Sequence, residues 1–264
     1  MVAASLIPAW GAKIVARLAA VCCVSLLAPL AVGLALLQPG AAPAPALSLL
    51  EQLGASPRCY SSALVSSGPI LLTAALFLGP LVTLALECAS GRGALPGNLA
   101  GQSSLRLVRA VVVAPLSEEW VFRACMAPLW RAQGAGHAQS VALCCACFGI
   151  VHAHHYREQV REGKPPSLAL RIVALQVAYT ALFAAIAAHA FQRSGSLLGA
   201  AASHALANAL GLPSLAWLGR DHPLHWARAG IAGAYLAGIG AFAWLAGGGG
   251  GLWQGAPCAL FPQP

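Results

Sequence analysis

Ala110-Val111-Val112-Val113-Ala114-Pro115-Leu116-Ser117-Glu118-Glu119-Trp120-Val121-Phe122-Arg123 is the stretch that decides the fold. It is apolar on both sides of two adjacent carboxylates, in a chain that holds only seven acidic residues among 264. The surroundings match it: 59% of residues are hydrophobic and 8% charged, with a mean hydropathy of +0.74. A soluble domain carries roughly a quarter of charged residues, so this composition cannot build a soluble surface. It predicts an all-α, polytopic integral membrane bundle. A charged group at the bilayer centre costs roughly 2.5–3.5 kcal/mol on insertion scales. Two carboxylates inside one apolar span therefore read as groups that face a partner and work.

A hydrocarbon core of about 30 Å needs about 20 apolar residues per helix. Spans are predicted near 14–37, 63–86, 105–130, 138–153, 168–191, 197–218 and 227–246. An eighth, short or re-entrant, is expected around Leu252–Phe261, after a flexible glycine run at Gly247–Gly251. This gives about seven to eight transmembrane helices. The first run is longer than a signal-peptide core and lacks a clear small-residue cleavage site, so it reads as a span or anchor. Short loops join the spans, so residues 1–264 form a single membrane domain, with a catalytic core at about 105–213.

The net charge of +8 comes from dispersed basic residues, not from a stripe on one face. It fits positive-inside orientation in a bilayer and gives no nucleic-acid surface. With a cytosolic N-terminus and seven alternating spans, Lys13, Arg17, Arg92, Arg106, Arg109, Arg157, Arg161, Lys164, Arg171, Arg220 and Arg228 fall inside, against Arg58, Arg131 and Arg193 outside. The same alternation sets His152 near the cytosolic mouth, beside His154 and His155. Nine cysteines are an odd number, and most lie in apolar spans as small hydrophobes. Cys59, in a Pro-rich loop, is a candidate for oxidation whose partner the sequence does not name.

Three patches carry the chemistry: Glu118-Glu119-x-x-x-Arg123, Phe148-x-x-x-His152 and His204-x-x-x-Asn208. Residues four apart share a helix face, so Glu119 can pair with Arg123. Glu118, rotated by about 100°, points elsewhere and is available as a general base. His204 stacks over Asn208, and Phe148 over His152. Two imidazoles, a carboxylate and an amide in a low-dielectric interior suffice to activate a water and stabilise an oxyanion. His154 and His155 fit an interfacial loop. His189 reads as core or interhelical glue, and His137, His222 and His225 as loop residues.

The order of these patches resembles the signature of the CPBP superfamily of intramembrane proteases. The strings from Ala114 to Met126, from Phe148 to His155 and from Gln176 to Phe183 are similar to the eukaryotic type II CAAX prenyl endopeptidases. The similarity runs from about Arg106 to Pro213. It implies a multi-pass endoplasmic reticulum enzyme, open to the cytosol, that removes the last three residues of farnesylated or geranylgeranylated CAAX proteins such as Ras-like small GTPases. Carried over residue by residue, Glu118 would activate water and His152 would position and polarise it. His204 and Asn208 would hold the oxyanion, with Glu119, Arg123 and Phe148 in support. Tyr179, Phe183 and His155 are candidates for substrate contact.

Other chemistries are weaker in the letters. Asp221 is the single Asp, which removes an aspartyl dyad, and no His-Glu-x-x-His or Gly-x-Ser-Gly string is present. Glu118, His152 and His204 match the His₂Glu set of a catalytic zinc by type, yet Asn208 stands where a closely spaced second His would. The expectation is catalysis without a cofactor, zinc being the lesser alternative. A non-catalytic CPBP-type scaffold or immunity protein, and a transporter with a buried Glu/His relay, are the readings outside peptidase chemistry.

Overall fold

The structure, a computed structural model, describes residues 9–37, 47–91, 99 and 101–261. The side chains of Lys13, Arg17 and Cys22, and Arg92 altogether, lie outside the described residues. The described elements are helices and turns, without a strand. α1 spans Ala9–Leu36, α2 Ala63–Leu76 and α3 Leu78–Ala89. α4 is the helical run 104–132, followed by α5 at His137–Val151 and α6 at His155–Arg161. α7 is Pro166–Ser194, α8 Leu197–Leu210 and α9 Arg228–Ala246.

Among the described residues, two helical segments, Pro166–Ser194 and His225–Ala246, are long and apolar enough to cross a membrane by themselves. The span expected at 63–86 is instead two helices that meet at Phe77 with a bend of 73°. Gly79 and Pro80, just beyond the break, remove a side chain and a backbone donor there. The span expected at 197–218 stops at Leu210, because Gly211 and Pro213 end it, and continues as turns. The segment around Leu252–Phe261 is not an eighth span. It folds as turns whose Leu252, Trp253, Cys258 and Leu260 are buried, and the preceding glycines form a tight turn against Trp244.

In lipid there is little hydrophobic force between helices, so close packing of small residues and interhelical hydrogen bonds associate them. α7 buries Ala184, Ala187 and Ala188, and Ala181 approaches Gly149 of α5 so closely that a Cβ there would lie 3.1 Å from it. At Gly199 a Cβ would fall 2.2 Å from the Ser66 carbonyl of α2, so only glycine lets α8 reach α2. Polar bonds then fix the pairs. Thr73 and Ser203 share one of 2.5 Å between α2 and α8, and Gln192 donates to Ser140 at 2.9 Å between α7 and α5. His137, expected in a loop, begins α5 and meets His189 of α7 at 3.0 Å.

α4 is irregular for a reason written in its sequence. Helical stretches Ser104–Val108, Ala114–Glu119 and Met126–Ala132 alternate with wide π-helical turns at Arg109–Val113 and Trp120–Cys125. In the first wide turn the N–H of Ala114 bonds the Arg109 carbonyl, five residues back. The next donor in that register would be residue 115, which is proline and has none. The Ala110 carbonyl is thereby left without a backbone donor. A similar logic docks α1: Pro29 cannot bond the carbonyl of Ser25, and the indole N–H of Trp120 does so at 2.8 Å.

One end of the bundle is cross-linked. Cys59 and Cys258 form a disulfide, which supplies the partner that the sequence leaves open. Gly195, at φ +67°, closes α7 beside it, where a Cβ would lie 2.3 Å from the Cys258 carbonyl. Arg131 and Arg193 donate to the carbonyls of Leu260 and Phe261, each at 3.1 Å. The 29 residues of α7 rise about 43 Å at 1.5 Å per residue, and the turn that carries His152 packs against α7 along with α6. α5 runs antiparallel to α7, with His137 beside His189 and Gly149 beside Val177 and Ala181. The turn after Val151 therefore lies toward the N-terminal half of α7, at a different level from the disulfide by its C-terminal end.

Candidate active site

The three patches meet between α4, α5 and α8. The adjacent carboxylates diverge as the helical period requires: Glu119 is fully buried, whereas the Glu118 side chain is 35% exposed. Glu119 Oε2 lies 3.1 Å from Arg123 Nε, and both groups are sealed from solvent. Its other oxygen, Oε1, lies 2.8 Å from His204 Nδ1 across the α4–α8 interface. Sequence spacing pointed to the first contact; the second depends on tertiary packing. A carboxylate accepts and cannot donate, so Nδ1 carries the hydrogen and His204 Nε2 faces the site. That nitrogen stands 3.8 Å from Glu118 Oε2.

His152 ends α5 on a short turn of 3₁₀ helix, His152–His154. Its Nδ1 donates to the Phe148 carbonyl at 2.8 Å, which fixes the tautomer and leaves Nε2 with its lone pair. Phe148 sits at the hub. Its ring meets Phe122 at 5.1 Å, His152 at 5.0 Å and His204 at 6.0 Å between centroids. The Arg123 guanidinium lies 4.3 Å above it. A buried guanidinium over a ring face gains cation–π stabilisation of about 2 kcal/mol, and here that contact complements the single carboxylate. Phe148 therefore links the motif on α4 to both histidines.

Asn208 lies one turn beyond His204 on α8, and its Nδ2 donates to the orphaned Ala110 carbonyl at 2.9 Å. The side chain expected to act on substrate thus also ties α8 to the wide turn of α4. Phe183 places its ring 5.0 Å from that of His204, one helical turn beyond Tyr179, which is exposed. The ring of His155 is 6.0 Å from that of His152, at the edge of the cluster.

Glu118, Glu119, Arg123, Phe148, His152, His204 and Phe183 are thus brought into one cluster, with Asn208 bracing it. Phe122 and the Pro115–Ala110 pair were missed. Phe122 reads as one more apolar residue until α5 is placed, whereas Pro115 inside an apolar run was a usable signal. Chemically, the arrangement offers a partly exposed carboxylate beside His204 Nε2, with the oriented His152 ring joined to the cluster through Phe148.

Residues 100–210 match the family model for Rce1-like type II CAAX prenyl endopeptidases. Over 183 residues the chain is 37% identical to CAAX prenyl protease 2 of Homo sapiens, covering 66% of this chain and 54% of the relative. It is 31% identical over 196 residues to CAAX prenyl protease 2 of Arabidopsis thaliana, covering 67% and 60%. A shorter match, 37% over 68 residues, joins it to CAAX prenyl protease 2 of Saccharomyces cerevisiae. The chain thus spans a little over half the length of the first two relatives. No solved structure matches it. Every motif residue of the site lies within residues 100–210, the stretch that is similar to the Rce1-like type II CAAX prenyl endopeptidases.

Proposed function

We propose that this chain is an intramembrane endopeptidase that removes the C-terminal tripeptide from farnesylated or geranylgeranylated CAAX proteins, Ras-like small GTPases among them. The observation that carries the reading is the pair of carboxylates with unequal surroundings, Glu119 buried against Arg123 and His204, and Glu118 open beside His204 Nε2. Glu118 takes a proton from a water as the water oxygen attacks the scissile carbonyl, with His152 Nε2 accepting the water's second hydrogen bond. His204, with a hydrogen on each ring nitrogen, donates from Nε2 to the developing oxyanion, and the Asn208 amide donates beside it. The carbon–nitrogen bond then breaks, and the proton on Glu118 passes to the leaving amine. Glu119 orients His204, as a buried carboxylate orients the histidine of a hydrolytic triad.

Hydrolysis is proposed to run without a metal, because assigning Glu118 as a ligand would remove the base and Asn208 stands where a closely spaced second His ligand would. Location in the endoplasmic reticulum membrane, with the site open to the cytosol, has two supports. Disulfides persist in the oxidising lumen, and Cys59–Cys258 joins the two loops that positive-inside alternation sets on the non-cytosolic side. A prenyl chain would lie beside Phe183 and Tyr179. The test is hydrolysis of a prenylated CAAX peptide by purified protein in detergent, beside the same peptide without its lipid. Release of the tripeptide from the prenylated peptide alone is expected. No release, or equal release from both, refutes the reading or its lipid requirement respectively.

A further inference from the structure

Among the described residues, the one group of three metal-ligating side chains with ligand atoms within 4.8 Å of one another is His154, His155 and Glu158. It lies at the edge of the catalytic cluster and not in it. From this geometry we propose a second site, a zinc-class transition-metal site at the mouth of the enzyme. The spacing is local: His154 and Glu158 stand four apart, and His155 and Glu158 three apart, so Glu158 is a helix-face neighbour of each histidine where the short turn runs into α6. The two imidazole rings lie 4.1 Å apart between centroids.

The hydrogen bonds orient this group for an ion. The Nδ1–H of His154 donates to the Val151 carbonyl, so Nε2 carries the lone pair and points away from the backbone. A backbone carbonyl holding the far nitrogen is the usual outer support of a metal-bound histidine. His155 Nδ1 donates to Glu158 Oε2 at 2.8 Å. When an ion takes the place of that hydrogen, the proton moves to Nε2 of the same ring, and both Nδ1 and the carboxylate become ligands. Tetrahedral zinc with bonds of about 2.0–2.1 Å needs ligand atoms about 3.4 Å apart. Closing from 4.8 Å or less asks only small side-chain rotations of groups that are exposed or half-exposed.

Ligand type sets the class. Two imidazoles and one carboxylate suit zinc, nickel or copper(II), whereas calcium and magnesium prefer all-oxygen sites. Three protein ligands leave a fourth position for water. The ion would cross-link the turn that carries His152, whose ring is 6.0 Å from that of His155. Occupancy would therefore stiffen the approach to the site without touching Glu118 or His204.

The experiment is titration of the full chain in detergent with zinc chloride, read by calorimetry and by metal content after desalting, with magnesium chloride as the control. One zinc per chain is expected, no magnesium, and slower hydrogen exchange across residues 152–161 when zinc is bound. His154→Ala and Glu158→Gln are expected to weaken zinc at least tenfold while Glu118→Gln binds as the wild type does. Melting curves verify that each variant is folded, and Glu158→Gln, an isosteric change at a half-exposed position, serves if His154→Ala is not. Zinc uptake unchanged in both variants, or absent from the wild type, overturns the proposal. So does uptake lost in Glu118→Gln and kept in His154→Ala, which would move the ion to the catalytic cluster. The peptidase reading fails separately, in the product assay.

Discussion

Glu118 and Glu119 are neighbours in sequence, yet their replacement by Gln should separate catalysis from stability. Glu119 is fully buried, 3.1 Å from Arg123 and 2.8 Å from His204. Glu119→Gln keeps the shape but leaves the Arg123 charge buried without its counter-ion, a loss of about 3–5 kcal/mol for a broken buried pair. At roughly 2–4 °C per kcal/mol for a chain of this size, the melting temperature should fall by roughly 6–20 °C. Glu118 is 35% exposed and stands 3.8 Å from its nearest ionic partner, so Glu118→Gln should change stability by no more than about 0.5 kcal/mol. Its turnover should drop by at least 10²–10⁴-fold, the usual worth of a general base. The assay is thermal unfolding in detergent, followed with a dye that reacts with the buried thiols Cys125 and Cys144, beside cleavage of a prenylated peptide. A Glu119→Gln protein that melts with the wild type, or a Glu118→Gln protein that cleaves at near wild-type rate, would refute the division of roles.

Asn208→Ala should lower the cleavage rate by roughly 10²–10³-fold, the range for one lost oxyanion donor. Adding Pro115→Ala returns a backbone N–H to the Ala110 carbonyl, so the double variant should regain stability without regaining rate; recovery of rate would make Asn208 a brace alone. Reduction of the denatured protein should expose two further alkylatable thiols, in the peptides holding Cys59 and Cys258, as read by mass spectrometry. Cys258→Ser should cost roughly 2–5 kcal/mol of stability; an unchanged alkylation pattern or melting point would remove the cross-link. Glu51 is held below its ordinary value by the Ser48 backbone N–H, then the Ser48 hydroxyl and Arg58. A depressed carboxylate stabilises the fold above its unfolded value of 4.5, and that contribution fades as pH falls through the lower folded value. Glu51→Gln should therefore flatten melting temperature against pH below about pH 5, and identical slopes would contradict it.

The helices that sequence reading placed well are those with plain punctuation. Pro165 and Gly195 bracket α7, and Gly136 opens α5, so hydropathy and turn residues agreed there. The bend at Phe77 was visible only as Gly79-Pro80, which signals a break without its angle. Leu252–Phe261 was misread because apolar residues that line a protein interior look like residues that face lipid. Within the site, Glu119–Arg123 follows from helix periodicity, a local property. Glu119–His204 joins positions 85 residues apart, and Cys59–Cys258 positions 199 apart; neither distance is encoded by any local pattern.

The bond between Asn208 and the Ala110 carbonyl has a consequence for assembly. Helices that meet in lipid through alanine and glycine surfaces can rotate and slide at small cost, since one smooth face resembles the next. The missing donor at Pro115 makes the Ala110 carbonyl unlike those beside it, and only one azimuth and depth of α8 brings the Asn208 amide to it. A slip of one residue would turn Glu118 and Glu119 by about 100° and exchange the buried carboxylate for the open one. The proline and the amide thus act as a key and keyway that index two featureless cylinders, and the sense of the whole site depends on that index.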